Sequence, residues 1–250
     1  MTSMKNLLLA VAIFLPSIVF SQGSESRDVS SFIKIKVSGG FDVYIESGDK
    51  ESLRIEGTEF DRKKIQTTVK NGLLKVFVDP EFRGDIHAKV FVTCKSLQGI
   101  DRAGSGDLNC KSNISGTSVQ LSSAGSGDVV VSGLVKAQQL DISLSGSGDC
   151  RVNSVKAEDL GISVSGSGDM DVLSGNVKKQ SLGIAGSGDI SAFGVVSEAC
   201  VISIAGSGDV NVTANKSLEA TIAGSGEVVY KGSAQVTSSK VVGSGRIRRN

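Results

Sequence analysis

The stretch ISVSGSGDMDV, residues 162–172, contains the motif that decides the fold. Its core is Gly-Ser-Gly followed by Asp, and the Gly-Ser-Gly triplet returns at intervals of 18 to 21 residues. The triplets begin at Gly104, Gly125, Gly146, Gly166, Gly186, Gly206, Gly224 and Gly243. Copies at so regular a spacing predict a solenoid, in which each repeat stacks on its neighbours.

Apolar residues alternate with small or polar residues on both sides of each triplet. In the fourth copy the apolar positions include Ile162 and Val164 before the triplet, and Met170 and Val172 after it. A period of two is typical of a half-buried β-strand, and the abundance of Val, Ile and Gly argues against a helix. Each unit is therefore predicted to be a strand, a bend, a second strand and a variable connection.

Units of about 20 residues fit one coil of a β-helix, whose coils stack about 4.8 Å apart as parallel strands. A four-stranded propeller blade needs about 40 residues and is excluded on length. The predicted fold class is all-β, a parallel β-helix (β-solenoid), with the Gly-Ser-Gly-Asp coils over residues 100–250. Residues 30–99 are expected to be irregular first coils that cap the stack, with a hairpin at Asn71-Gly72. Residues 30–250 are expected to form one continuous domain.

The bends are predicted to be structural corners and not active sites. Glycine accepts backbone angles closed to other residues and lets adjacent coils approach closely, and Ser and Asp side chains bind nearby backbone donors. The predicted turn residues are Gly104, Gly106, Asp107, Gly125, Gly127, Asp128, Gly146, Gly148, Asp149, Gly166, Gly168, Asp169, Gly186, Gly188, Asp189, Gly206, Gly208 and Asp209. Calcium held by the stacked acids is the alternative, since like charges about 4.8 Å apart repel one another. The known calcium solenoid, however, repeats every nine residues or about half this unit. No catalytic residue, metal ligand or cofactor is predicted.

The composition narrows the chemistry further. The chain has 31 glycines, no tryptophan and 4% aromatic residues, so its core is expected to consist of small aliphatic side chains. His87 is the single histidine, which removes most imidazole-based sites, and it is predicted to be a surface residue of a strand. Cys110, Cys150 and Cys200 fall on inward positions and are predicted to be buried hydrophobes. A Cys94–Cys110 contact is left open.

The first residues predict export. Lys5 precedes an apolar run from Leu7 to Phe20, which is typical of a signal peptide over residues 1–21, with residues 22–29 as a short linker. We therefore expect an exported protein in the periplasm, at the cell surface or outside the cell, with no membrane span after signal removal. Removing residues 1–21 takes away Lys5 and no acid, so the formal net charge falls from +1 to zero. A neutral chain is not expected to bind nucleic acid.

The order of these motifs resembles a known family. FIKIKVSGGFDVYIESGD is followed by SLRIEG, then NGLLKVFV, then repeated GSGD bends. This order is similar to the auto-transporter adhesin head GIN domain family of Bacteroidetes-type bacteria, over essentially all of residues 30–247. The resemblance implies a right-handed parallel β-helix, an envelope or surface location, and binding instead of catalysis.

Three classes of function are compatible with a solenoid. The first is an adhesin-like protein that binds a glycan, a polymer or a surface protein along its repeated faces, without catalysis. The second is a structural or assembly protein of the periplasm, in which oligomers are an open alternative. The third is a polysaccharide-acting enzyme, for which the nearest approach to a catalytic group is Asp141 with Glu158-Asp159, Arg151 and Lys156. Coils of about 20 residues leave no long loops to build a cleft, so catalysis is not expected.

Overall fold

The computed structural model describes residues 23–250, so the predicted signal peptide at residues 1–21 lies outside the described part. The first part of the described chain contains seven strands and one helix. Their bounds are β1 Gly23–Arg27, β2 Lys34–Ser38, β3 Asp42–Ser47, β4 Ser52–Gly57, α1 Glu59–Lys64, β5 Ile65–Lys70, β6 Leu73–Val78 and β7 Ala88–Cys94.

The remaining strands are β8 Gly99–Gly104, β9 Leu108–Cys110, β10 Ile114–Gly125, β11 Val129–Gly146, β12 Cys150–Lys156, β13 Asp159–Gly166, β14 Met170–Val172, β15 Gly175–Asn176, β16 Lys179–Gly186, β17 Ile190–Gly206, β18 Val210–Gly224, β19 Glu227–Lys231, β20 Gln235–Gly243 and β21 Arg246–Arg249. The predicted β-solenoid is confirmed: the coils are about 20 residues long and form about eight turns.

Parallel pairing between coils divides each coil into strand segments. We call the segment before each Gly-Ser-Gly the first face and the segment after it the second face. On the first face β13 pairs with β16 from Asp159–Lys179 to Gly166–Gly186 without a break. On the second face Cys150 pairs with Met170 and Val152 with Val172. A shift of one whole coil therefore superposes equivalent residues of the repeat.

The segment predicted as a variable connection also forms strands in part of the stack. Val135 pairs with Val155, and Val155 pairs with Gly175. We call this the third face. Its strand character explains why β11, β17 and β18 run for 15 to 18 residues. The segment is short and uneven between coils, and in one coil it is reduced to the two residues of β15, so no common sequence pattern marks it.

The N-terminal part differs from a stack of irregular coils. β2 and β3 belong to the parallel ladders, since they pair with β8 and β9 respectively. β4, however, pairs antiparallel with both β1 and β7, and β5 pairs antiparallel with β6. The hairpin predicted at Asn71-Gly72 is confirmed, with φ angles of 52° and 72° at these two residues. Both angles are positive, as a tight two-residue hairpin requires.

Two elements of this part differ from the sequence-based prediction. The stretch 22–29, expected as a linker, contains β1, whose residues alternate between half-buried and exposed against β4. The helix α1 is also new. Thr58 caps it, because its side chain accepts a hydrogen bond from the backbone N–H of Asp61 at 3.1 Å. Basic residues fill its last turn, which favours the helix C-terminus.

Inward side chains of successive coils form one buried cluster that extends from Phe32 to Ala234, and the inward residues of β20 lie outside it. In β13, Leu160, Ile162 and Val164 are each at most 2% exposed. The core is mostly aliphatic, as the composition predicts, with Phe32 and Phe41 as its buried rings. The outward residues between them are left to form the surfaces described next.

Candidate functional site: the stacked corners and the adjoining groove

Each Gly-Ser-Gly corner lies directly against the corner of the preceding coil. The first glycine of every triplet has a positive φ, between 116° and 141°. A Cβ atom on Gly146 would overlap the carbonyl oxygen of Gly125, and one on Gly148 would overlap the carbonyl oxygen of Gly127. The first glycine is therefore required by conformation and by space, and the second by space.

Backbone hydrogen bonds continue the ladder through the corner. The N–H of Ser167 donates to the carbonyl of Gly146 at 2.9 Å, and the same bond recurs between the other successive corners at 2.9–3.1 Å. After the corner, the N–H of Met170 donates forward to the carbonyl of Asp189 at 2.8 Å. The first of these bonds is made to the preceding coil and the second to the next coil. The backbone N–H of Asp169 lies between them and needs another acceptor.

The aspartate of the preceding coil supplies this acceptor. The N–H of Asp169 donates to Oδ1 of Asp149 at 2.9 Å. The same bond repeats through the stack at 2.7–3.1 Å and runs in order through Asp42, Asp107, Asp128, Asp149, Asp169, Asp189, Asp209 and Glu227. We call this row the aspartate ladder. Each aspartate carboxylate accepts from a backbone donor with one oxygen, which leaves its second oxygen for solvent or a ligand. Glu227 ends the row, and its carboxylate accepts from Arg246 and Arg248 instead.

A groove of about 390 Å³ lies beside the aspartate ladder on the second face. One side is formed by the ladder residues Asp128, Asp149, Asp169 and Asp189. The other side is formed by the fifth residue after the first glycine of each coil, namely Val130, Arg151, Asp171, Ser191 and Asn211. Among these, Arg151 donates to Asp171 at 3.0 Å. The groove therefore spans successive coils and carries an excess of carboxylates.

The predicted turn residues identified one wall of this groove and missed the other. The second row is visible in the sequence only as a fixed position in the repeat, because its side chains share no residue type. Its signal is the outward phase of the strand alternation, five residues after each first glycine.

Arg102 anchors the first corners from inside the core. It lies two residues before Gly104, where most other coils carry an apolar residue, and it is 1% exposed. Its guanidinium donates to the carbonyls of Gly127, at 3.0 Å, and Gly106. Burial lowers the pKa of Arg102, while the carboxylates of Asp107 and Asp128 act in the opposite direction. The small Ser123, its register partner on the next coil, leaves room for the side chain.

A second groove, of about 380 Å³, contains the single histidine. His87 is exposed, as predicted, but it lies immediately before β7 and not within the strand. It shares this groove with Asp42, Glu56 and Lys89. Nearby on the second face, Tyr44 and Phe91 stack with ring centroids 5.1 Å apart, and the Arg54 guanidinium lies 4.2 Å from the centroid of Phe91. Arg54 and Tyr44 thus cover the two sides of the Phe91 ring.

The residues considered for catalysis do not converge. Asp141 lies on the first face and accepts from Gln139 at 3.0 Å, whereas Arg151 lies on the second face beside Asp171. Glu158 is bound to Lys178 at 2.9 Å. Within residues 23–250, no group of three or more His, Cys, Asp or Glu side chains is placed to hold a metal ion.

The four cysteines are buried and unpaired. The inward placement predicted for Cys110, Cys150 and Cys200 is confirmed, and burial raises the pKa of each of these thiols to about 12. Burial also raises the pKa of Cys94, whose Sγ lies 3.7 Å from Oγ of Ser112. These thiols fill the core and do not form a reactive site.

The fold and its outward grooves define an elongated β-solenoid with repeated polar surfaces. The chain belongs to the family described as "Putative auto-transporter adhesin, head GIN domain", which matches residues 31–154 and 121–234. The resemblance found in the sequence is thereby confirmed. The family is adhesin-like and is associated with export or the cell surface. In residues 23–250 no helix has the length and apolar character needed to cross a bilayer.

Solved structures support this assignment. The "Putative lipid binding protein" of Parabacteroides distasonis is 29% identical with a TM-score of 0.82, and the match covers 92% of this chain and 96% of that one. A "putative adhesin" of the same species is 25% identical with a TM-score of 0.80, over 93% of this chain and 98% of that one. A "putative adhesin" of Parabacteroides merdae is 24% identical with a TM-score of 0.82, over 92% of this chain and 96% of that one, and it shows the shared fold. The curated proteins contain no match to the chain.

Proposed function

We propose that this protein is a noncatalytic, adhesin-like protein of the cell envelope or cell surface. It binds an extended ligand, a glycan, another polymer or a protein segment, along the side of its solenoid. The observation that carries this proposal is the groove beside the aspartate ladder, one wall of which presents an aspartate in each successive coil. A repeated surface offers many weak, equivalent contacts that add along a long ligand.

The chemistry of the groove limits the ligand. The second oxygens of the ladder carboxylates are acceptors, and Ser191 and Asn211 add neutral polar groups. A ligand rich in hydroxyl or amine donors would match this lining. The carboxylates outnumber Arg151, so an anionic ligand would be repelled. The polar lining also argues against an acyl chain as the bound group.

The corner residues are proposed to support this surface and not to react. The first oxygen of each ladder aspartate is committed to a backbone donor, and the glycines carry no side chain. The ligand-contacting residues would be the row at Val130, Arg151, Asp171, Ser191 and Asn211, together with the outer carboxylate oxygens.

The location is tested by labelling intact and lysed native cells with an antibody to the solenoid. Labelling of intact cells is the expected result. Labelling only after lysis would contradict the surface location and would direct the search to partners within the envelope.

Binding is tested by screening the purified protein against arrays of glycans and matrix proteins. The groove variant carries Ser191→Lys and Asn211→Lys, and the matched control carries Ser163→Lys and Ser203→Lys on the first face. We expect the groove variant to bind its ligand about tenfold more weakly, because the lysines remove the polar contacts of Ser191 and Asn211. We expect the affinity of the control to be unchanged. Equal loss in both variants would contradict the groove as the binding surface.

A further inference from the structure

The outward row that forms the second wall of the groove continues past Val130 toward the first strands. Val130 pairs in register with Asn109, and Asn109 pairs with Tyr44. Tyr44 pairs in turn with Phe91, and Phe91 pairs with Arg54. Such pairings hold equivalent outward side chains next to one another across a sheet. The acidic groove and the stacked rings of Tyr44 and Phe91 therefore belong to one row of side chains.

The two rings stand upright on the sheet and face along this row. Their centroids are 5.1 Å apart with an angle of 16° between the ring planes, which is close to the spacing of about 4.8 Å between neighbouring strands. One face of the Tyr44 ring therefore packs on Phe91. Because β3 lies between β7 and β9, the other face is turned toward Asn109 of β9. Within residues 23–250, neither an aromatic ring nor a cation stacks on this second face.

A notch lies between Tyr44 and the next long side chain of the row, Arg151. Three strand spacings separate these two residues, or about 14 Å, and the positions between them carry the shorter side chains of Asn109 and Val130. Arg151 donates to Asp171 of the following coil at 3.0 Å, so its guanidinium is directed away from Tyr44. We define the notch by Tyr44, Asn109, Val130 and Arg151. Val130 also lines the groove, so the notch opens into the groove.

The edges of the notch are polar. Asp107 and Asp128 are exposed members of the aspartate ladder and stand two residues before the two floor residues of the notch. Each accepts a backbone hydrogen bond from the next coil with Oδ1, so its Oδ2 is available as an acceptor. On the opposite edge, Lys111 donates to Glu46 at 3.2 Å. The notch thus combines one aromatic face with carboxylate acceptors along one edge, and the amide of Asn109 adds a donor and an acceptor at its floor.

A neutral sugar ring matches these groups. The C–H bonds on the face of a pyranose carry a small positive charge and pack on the negative face of an aromatic ring, while the hydroxyls around its rim donate to carboxylates. A nucleotide or an acidic sugar would bring an anion beside Asp107 and Asp128, and like charges repel. A proline-rich segment also packs on an aromatic ring, but proline has no N–H to donate to the two carboxylates.

We propose that the notch binds the terminal sugar ring of a neutral glycan, with its C–H face stacked on Tyr44 and its hydroxyls donating to Asp107 and Asp128. A ring stacked on Tyr44 lies parallel to the strands, and the two edges of the notch limit it in that direction. Its linkage therefore leaves the notch away from the sheet, and the rest of the glycan turns over Val130 into the groove. This proposal rests on the proposed function and selects a glycan from the three classes of ligand named there.

Tyrosine fluorescence reports directly on this site, because the chain contains two tyrosines and no tryptophan. The variant Tyr230→Phe leaves Tyr44 as the single tyrosine. It is titrated with neutral tetrasaccharides of glucose, galactose, mannose or N-acetylglucosamine, and with a tetrasaccharide of galacturonate as the acidic control. We expect a saturable change in the emission of Tyr44 with at least one neutral tetrasaccharide and no change with galacturonate.

Two phenylalanine variants localise the binding. Asn109→Phe fills the notch and leaves the contact between Tyr44 and Phe91 in place, and Ser163→Phe adds the same exposed side chain to the first face as a matched control. Isothermal titration calorimetry measures the affinity for the tetrasaccharide that gives the largest fluorescence change. We expect Asn109→Phe to bind about tenfold more weakly or worse, because the new ring occupies the second face of Tyr44. Ser163→Phe should be unchanged, and Tyr44→Phe, which keeps the stacking ring, should bind within about threefold of the wild type.

The groove variant, Ser191→Lys with Asn211→Lys, separates this proposal from the proposed function. Weaker binding in both Asn109→Phe and the groove variant is expected for one glycan that spans both. Loss in Asn109→Phe alone supports the notch and removes the groove from the binding surface. Loss in the groove variant alone overturns the notch and leaves the proposed function standing. The notch is also overturned by unchanged affinity in Asn109→Phe, by equal loss in Ser163→Phe, by an equal response to galacturonate, or by no response of Tyr44 to any neutral tetrasaccharide.

Discussion

At the scale of single residues, the corner divides its work among side chains with different requirements. Gly146 needs a positive φ and the absence of a Cβ, Gly148 needs the absence of a Cβ, and Asp149 needs one acceptor oxygen. The two glycines are required because the corners of successive coils are in close contact and leave no space for a side chain. The aspartate is required because the backbone N–H of the next aspartate has no carbonyl partner and binds its carboxylate.

Replacing Gly146 or Gly166 by Val should destabilise the protein by about 3 kcal/mol or more, because strain at a positive φ adds to overpacking. The matched control is Gly183→Ala on the first face. A Cβ there meets only the carbonyl oxygen of Ile162 at 3.9 Å, so we expect no loss of stability. Urea denaturation measures both. Unchanged midpoints in both valine variants would refute the corner geometry.

Replacing Asp149 and Asp169 by Asn should change stability only modestly, because an amide oxygen accepts the same backbone hydrogen bond. Replacement by Ala leaves each donor without its partner and should cost about 1 kcal/mol per site. Melting temperatures with and without calcium check this. A rise with calcium that the Asn variants abolish would instead establish a metal on the aspartate ladder.

At the scale of elements, strong local patterns were predictable and pairings without a local pattern were not. The alternation around each triplet predicts the first and second faces, and Asn71-Gly72 predicts the hairpin, because both depend on adjacent residues. β1 could not be predicted, because it is a strand through its antiparallel partner β4. The helix α1 left only a weak signal, a Thr58 cap before six residues.

The site shows the same division. The ladder aspartates could be selected from the repeat, but their bonds cross from coil to coil and depend on register. Arg102 has no sequence signal of its buried role, since an arginine in a strand is ordinarily solvent-exposed. Its position becomes possible through Ser123, a small residue one coil later.

The last coil should detach more readily in acid. Hydrogen bonds from Arg246 and then Arg248 lower the pKa of Glu227 to about 2, from 4.5 in the unfolded chain. A depressed carboxyl pKa stabilises the fold above pH 4.5, and this contribution is lost as the pH falls toward 2. Urea midpoints should therefore fall less steeply over this range in Glu227→Gln than in the wild type. Glu219→Gln, which removes an exposed carboxylate from β18, is the control and should follow the wild type.

At the scale of the whole molecule, one continuous and mostly aliphatic core extends through the coils from Phe32 to Ala234. This explains how four free thiols persist in a protein predicted to be exported: each is enclosed between coils and held in its protonated form. Reactivity of these thiols therefore reports on opening of the stack.

In the native protein, the thiols of Cys110, Cys150 and Cys200 should resist an alkylating reagent near neutral pH, because the pKa of each is raised to about 12. All four cysteines should react after denaturation. Labelling is counted by mass spectrometry, with the exposed Ser163→Cys variant as a positive control. Rapid labelling of one native thiol would show local opening of its coil.

The antiparallel strands and the helix at the first end have a consequence for how the chain folds. β2 and β3 must close with β8 and β9 across 65 residues, as the hydrogen bond from Asp107 to Asp42 illustrates. Every later coil adds across about 20 residues, onto a template that is already complete. Loop-closure entropy is therefore concentrated in one early event. A chain that emerges N-terminus first, as in synthesis, forms the long-range pairing of β2 and β3 with β8 and β9 first. Each later coil then adds to an existing edge at a smaller entropic cost.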